Sequence, residues 1–227
     1  MKDDILSYRE MCDAENVQTL QRGMNYRLNP GYSVVLMSQR SNAPYRDEIM
    51  DDGVTIIYEG HDAPQTRDSI DPKLIDQPQF NKTGTPTQNG RFVEAVERYK
   101  TEQPPEKVRI YEKLFSGVWS FKGLFNLVDN QYVHDGRRNT FKFVLQLASE
   151  DSATGSGSQR ERSRIIPTEV KKAVWERDGG RCVICGAEDE LHFDHDIPYS
   201  RGGTSITAEN VRILCARHNL SKGAKIE

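Results

Sequence analysis

The sequence predicts an α+β fold in two unequal parts, a large β-rich N-terminal domain and a small C-terminal module. Three observations point there. Residues 140–147, TFKFVLQL, alternate Phe141, Phe143 and Leu145 with Lys142, Val144 and Gln146, the period of two expected of a strand with one buried face. Residues 149–158, SEDSATGSGS, are a polar Gly/Ser run of the kind that behaves as flexible coil. Three of the four cysteines, Cys182, Cys185 and Cys215, follow that run, while Cys12 stands alone as a small apolar residue. The expected division is a domain over 1–148, a linker over 149–163 and a second domain over 164–227.

The bulk numbers set limits. A chain of 227 residues with 36% hydrophobic residues can bury a core, and a mean hydropathy of -0.72 goes with a large polar surface. No apolar run approaches the roughly 20 residues needed to span a bilayer, so no membrane partner is expected. The first sixteen residues are acidic and lack an apolar centre, unlike a secretory signal, and a cytoplasmic protein is the expectation. The net charge of -3 divides unevenly: residues 160–227 carry 12 basic against 11 acidic side chains, residues 1–159 carry 19 against 23. Neither part is a basic cloak. A nucleic-acid partner would have to be held by local patches and shaped pockets rather than by bulk phosphate neutralisation.

Before the linker, strands are expected over residues 32–37, 53–58, 117–128 and 140–147. One helix is expected over residues 89–100, with Phe92, Val96 and Tyr99 at helical spacing, and the Pro104-Pro105 pair prevents its continuation. After the linker, Pro167 opens a helix over residues 168–177 that turns Val170 and Val174 inward and stops at Gly179-Gly180.

The C-terminal cysteines have metal-ligand spacing. Cys182 and Cys185 form one i, i+3 pair, and Cys215 with His218 forms another. Three thiolates and one imidazole make a closed tetrahedral set suited to structural Zn²⁺, and such a site adds folding free energy to a module too small for a large core.

Between the pairs lies LHFDHDIPYSRGG (191–203), followed by ENVRILCARHNLSKG (209–223). Together with VWERDGGRCVICG (174–186), this ordered set resembles the HNH, or ββα-metal, endonucleases over residues 166–222. The resemblance implies a β-hairpin and a helix around one catalytic divalent cation. Phosphodiester hydrolysis needs an activated water, a cation against the crowded phosphate and help for the leaving oxygen. His195 suits the general base, being neutral near pH 7. Asp194 offers a hard oxygen ligand for Mg²⁺ or Mn²⁺. By resemblance, Asn219 is the second protein ligand, in a position that is often His, and Asn210 holds the loop and orients His195. Strand alternation places Asp194 and His195 on opposite faces, so one site can use both only if the strand ends there, as Asp196 and Pro198 suggest. His192 is expected half-exposed on the strand, and Asp196 in the turn.

Seven ordered pieces of the first domain are similar to the SRA (SET and RING associated) domain: YSVVLM (32–37), YRDEIMDDG (45–53), IYEG (57–60), IDQ (75–77), QNGRF (88–92), VRIY (108–111) and WSFKGLF (119–125). They cover residues 25–148. The resemblance implies binding of double-stranded DNA with a modified cytosine flipped out of the stack, held by aromatic faces and by an acid that accepts from the exocyclic amine. Tyr45 and Tyr58 are the aromatic candidates. Asp47 or Glu48 is the acceptor, and an extra residue before Gly53 leaves that choice open. Glu59 stands where a small hydroxyl residue is frequent, and residues 121–123 read FKG in place of Tyr-Asp-Gly. Arg137 and Arg138 are phosphate-contact candidates in a loop.

The two resemblances imply a modification-dependent restriction endonuclease. A base-flipping reader of 5-methylcytosine or 5-hydroxymethylcytosine would be tethered to an HNH cutter, expected as a homodimer because cutting both strands takes two sites. The alternatives are an HNH nuclease that reads unmodified sequence, of nicking or homing type, or a DNA-binding module whose nuclease has decayed.

Overall fold

The computed structural model describes residues 3–65, 69–148, 165–197 and 203–222. The expected linker at 149–163 lies outside these.

The N-terminal part is built on one mixed sheet. In chain order its strands are β1 (Ile5–Ser7), β2 (Met24–Asn29), β3 (Tyr32–Met37), β4 (Glu48–Ile49), β5 (Thr55–Glu59), β6 (Glu106–Phe115), β7 (Val118–His134) and β8 (Asn139–Leu147). The spatial order is β2-β3-β6-β7-β8-β5-β4, and β1 pairs with the start of β7. Only β3 and β6 run parallel among these pairs. Helix α1 (Tyr8–Ala14) begins at a capping box, in which Ser7 and Glu10 satisfy each other's backbone amides. Helix α2 (Gln88–Lys100) is capped by Thr87 and lays Phe92, Val93 and Val96 on the sheet. There they meet Val35, Ile56, Tyr58, Ile110, Phe125 and Phe143 in one cluster.

The alternation expected over residues 140–147 is present: Phe141, Phe143 and Leu145 are buried and Gln146 is exposed. The strand expected to end at residue 128 continues as β7 to His134. Its far half is polar, and pairing with β8 carries it on where apolar pattern is lost.

The C-terminal part comprises α3 (Thr168–Asp178), β9 (Leu191–His195), β10 (Val211–Cys215) and α4 (Ala216–Lys222). Strands β9 and β10 form an antiparallel pair in which His195 lies opposite Val211 and Leu191 opposite Cys215. Helix α3 ends at Gly179, which adopts φ 64°, a left-handed conformation cheap for glycine.

The two parts share a core. Ile5 and Leu114 from the first join Ile166, Val170, Val174, Leu191, Phe193, Val211 and Ile213 from the second. Asp3 stitches the sheets at the backbone: its N–H donates to the Phe121 carbonyl at 2.7 Å, and its carbonyl accepts from Phe193 N–H at 3.1 Å. His192, expected half-exposed, is buried here with Nδ1 2.7 Å from Asp4 Oδ1. Under α3, the Lys171 ammonium donates to Asp3 Oδ1 at 2.6 Å and to Ser120 Oγ at 2.7 Å. Lys122 pairs with Glu112 at 2.5 Å and donates to the Ile166 carbonyl at 3.2 Å. Burial pulls the Lys122 ammonium down to about 8, against the opposing charge of Glu112.

Candidate functional site

Two separate constellations carry chemistry. The first lies at the tips of β9, β10 and α4. The knuckle that holds Cys182 and Cys185 is closed by Cys182 N–H donating to Ala187 and Gly186 N–H donating to Cys182, both at 2.8 Å. It is hung on β10 by Val183 N–H, which donates to the Ile213 carbonyl at 3.0 Å. Cys215 ends β10, and His218 follows one turn into α4. The four ligand atoms of Cys182, Cys185, Cys215 and His218 lie within 4.8 Å of one another. Ligands about 2.3 Å from a tetrahedral Zn²⁺ are about 3.8 Å apart along an edge. Cys185 Sγ and Cys215 Sγ are separated by 3.8 Å, and His218 Nδ1 lies 3.4 Å from Cys182 Sγ and 3.3 Å from Cys215 Sγ. The set fits zinc. Burial would raise the Cys182 thiol, but amide hydrogen bonds from Cys215, Cys185 and Ile184 outweigh it and bring it to about 6.

Asp194 and His195 end β9 on its half-buried edge. Asp194 turns toward α4, where its Oδ2 is 2.5 Å from Lys222 Nζ. His195 turns toward the following loop, where its Nε2 is 2.9 Å from the hydroxyl of buried Ser205. Asn219 is half-buried on α4, one turn before Lys222, so both belong to the same side of that short helix. Asn210 binds the loop from both ends. Its Oδ1 accepts from Ile197 N–H at 2.8 Å, and its Nδ2 donates to the carbonyls of Ile197 and Thr204 at 3.0 and 2.8 Å. The loop comes so close at Gly203 that a Cβ there would lie 1.8 Å from the Ile197 carbonyl oxygen. Helix α3 braces the same region, since Arg177 donates to the carbonyls of Ala208 and Val211.

The second constellation is a cavity of about 670 Å³ in the N-terminal part, lined among others by Tyr45, Asp47, Tyr58, His61, Ser38 and Trp119, with Arg22, Arg40 and Lys113 also on its walls. Of the two candidate acids, Asp47 lines it and Glu48 does not: on the short β4, Glu48 is exposed to solvent. Asp47 is fixed by two backbone amides, Ser38 N–H to Oδ2 and Glu59 N–H to Oδ1, each at 3.1 Å. Burial raises its carboxyl to about 7 against those two hydrogen bonds.

Glu59, expected among the pocket residues, is a correction. Its buried carboxylate is held by Lys142 Nζ at 2.9 Å and by Arg46 N–H at 3.0 Å, and Arg138 stands 3.7 Å away. What Glu59 gives the cavity is its amide to Asp47. Arg138, a phosphate-contact candidate in the sequence, is likewise buried, paired with Asp62 at 2.6 Å.

Tyr58 is fully buried, and its hydroxyl donates to the Gly23 carbonyl at 3.2 Å while lying 3.0 Å from His61 Nε2. A Cβ at Gly23 would come within 3.1 Å of His61 Nε2 and 3.2 Å of the Tyr58 hydroxyl, a tight fit that a side chain there could enter only if these groups shifted by a few tenths of an ångström. Tyr45 has two close ring partners: the His61 ring, with centroids 5.2 Å apart and 8° from parallel, and the Lys73 ammonium 4.1 Å from its centroid. Burial lowers His61 to about 4, with Lys73 and Arg22 adding to the effect, so its ring is neutral at pH 7. Sequence reasoning missed His61, Ser205 and Lys222. The first two lie in irregular segments without periodicity, and Lys222 reads as an ordinary surface lysine.

Residues 182–225 match the family model described as HNH endonuclease. No curated protein matches the chain. Among solved structures, the chain is similar to the SUVH5 SRA domain bound to fully hydroxymethylated CG DNA, with 17% identity over 66% of this chain and 91% of that one, at a TM-score of 0.44. It is also similar to the modification-dependent TagI restriction endonuclease, with 18% identity over 97% of this chain and 76% of that one, at a TM-score of 0.44.

Proposed function

We propose that this chain, whose C-terminal module is an HNH endonuclease domain, cleaves double-stranded DNA in response to a modified cytosine read by its N-terminal domain. The reader is assigned to residues 1–148 and the cutter to residues 164–227. The observation that carries the reading is the cavity with half-buried Asp47 on one wall and aromatic rings around it, in the same chain as a nuclease module. A base inside a duplex cannot reach such a cavity; a flipped one can, and its Watson–Crick edge then meets a fixed carboxyl group. Arg22, Arg40 and Lys113 supply positive charge for the flanking phosphates. A base that stacks on Tyr45 would compete with the His61 ring or the Lys73 ammonium, both of which lie against that ring.

In the cutter, the zinc cluster fixes α4 against β10 and so sets where the end of β9 meets the helix. Asp194 and Asn219 offer the hard oxygen donors that suit Mg²⁺ or Mn²⁺. When bound, the divalent cation supplies charge against the scissile phosphate and the leaving 3′ oxygen. His195, oriented through Nε2 by Ser205, takes the proton from the attacking water, and Asn210 keeps the loop around it in place. Two copies of the chain supply the two active sites needed to cut both strands.

The test is digestion of matched duplexes carrying cytosine, 5-methylcytosine or 5-hydroxymethylcytosine, with Mg²⁺ or Mn²⁺ present. Cleavage confined to the modified duplexes is expected. Equal cutting of all three would remove the reader. His195→Ala is expected to lower cleavage by about 10²–10⁴-fold with zinc content and DNA binding unchanged; undiminished cleavage would assign the base elsewhere.

A further inference from the structure

We infer that Lys222 is a positioning residue of the nuclease site, holding the Asp194 side chain and the His195 backbone in one arrangement from the end of α4. Its side chain is only 2% exposed. Its ammonium lies 2.5 Å from Asp194 Oδ2 and also donates to the carbonyl oxygen of His195. A lysine so far from water is costly unless fully paired, and these two acceptors are what pair it.

The contact answers a problem posed by strand geometry. Asp194 and His195 are successive residues of β9, so their side chains leave the strand on opposite faces. Asp194 is reached through its carboxylate and His195 through its carbonyl, by a single ammonium. Neither residue can turn about the strand end without breaking a charge-assisted hydrogen bond. Lys222 takes Oδ2, and a carboxylate has two oxygens with lone pairs to spare, so Oδ1 can still serve as a ligand. The helix that delivers Lys222 also carries His218, one of the four residues that would hold zinc, and Asn219, so one short helix places all three.

The inference rests on the reading of Asp194 as a cation ligand, and the experiment separates the two. Mn²⁺ binding to the zinc-loaded full chain, without DNA, is measured by electron paramagnetic resonance for the wild type, Asp194→Asn, Lys222→Met and Lys222→Arg. Zinc content and binding to a methylated duplex are measured alongside. Lys222→Met is expected to weaken Mn²⁺ binding about 10- to 100-fold, the usual effect of removing a group that orients a metal ligand. Lys222→Arg, which keeps the charge and the donors, is expected to recover most of that loss. Mn²⁺ affinity in Lys222→Met equal to or tighter than wild type would overturn the inference, as would an arginine variant as weak as the methionine one. Should Lys222→Met lose its zinc, Lys222→Ala is read in its place with the same two outcomes. If Asp194→Asn binds Mn²⁺ as tightly as wild type, the failure belongs to the site assignment and not to Lys222.

Discussion

Lys171 and Asp3, 168 residues apart in sequence, meet at 2.6 Å with the lysine side chain entirely out of solvent. The pair joins α3 of the C-terminal part to the segment just before β1, beside the backbone bonds from Asp3 to Phe121 and Phe193. The N-terminal and C-terminal parts are thus held together by a buried ionic contact as well as by a shared apolar core.

Breaking that contact from one side should be expensive. Lys171→Met removes one partner of a buried ion pair, a loss that costs about 3–5 kcal/mol. Urea denaturation at neutral pH, with zinc saturating, measures it. A change below about 1 kcal/mol would mean that the pair is solvated in solution.

Zinc should be a folding requirement for the C-terminal module. One Zn²⁺ per chain is expected by elemental analysis, and Cys185→Ala or prolonged chelation should remove it. The β9–β10 pair and α4 are hung on that cluster, so amide exchange in residues 191–195 and 211–222 should accelerate while α2 and β8 stay protected. Unchanged exchange after metal removal would show that the apolar core alone suffices.

Asp47 should make stability fall as pH rises. Its folded carboxyl is raised to about 7 from an ordinary 3.8. Between those values the folded protein holds a proton that the unfolded chain releases. The resulting stabilisation is fully present below the lower value and is lost relative to Asp47→Asn as pH climbs. From pH 5.5 to 8 the wild type should lose about 2 kcal/mol relative to that variant, an upper figure set by the size of the shift. Urea midpoints of both proteins at the two pH values decide it; parallel curves would place the Asp47 carboxyl near its ordinary range.

Ser205 should matter to turnover and not to binding. It lies 2.9 Å from His195 Nε2 and is buried, so Ser205→Ala removes one contact to that ring while leaving Asp194, Asn219 and the N-terminal cavity in place. A fall in kcat of about tenfold is expected, with KM for modified DNA nearly unchanged, as befits partial loss of a general-base contribution. Wild-type kcat in this variant would show that other contacts orient His195.

Much of this protein was legible in its sequence because the signals are local. The alternation of Phe141, Phe143 and Leu145, the helix from Gln88 to Lys100 and the paired spacing of Cys182, Cys185, Cys215 and His218 each depend on backbone geometry over a few residues. Tertiary structure alone decided the rest. Asp47 rather than Glu48 lines the cavity because β4 is short and its pairing with β5 turns Glu48 to solvent. Glu59 left the pocket because Lys142, on the neighbouring β8, and Arg138 claim its carboxylate. Lys222 reaches Asp194, and Lys171 reaches Asp3, only once distant segments are brought together. Pattern within one element specifies which face is apolar; which charge meets which across elements is set by the assembled core, where burial makes each unpaired group costly.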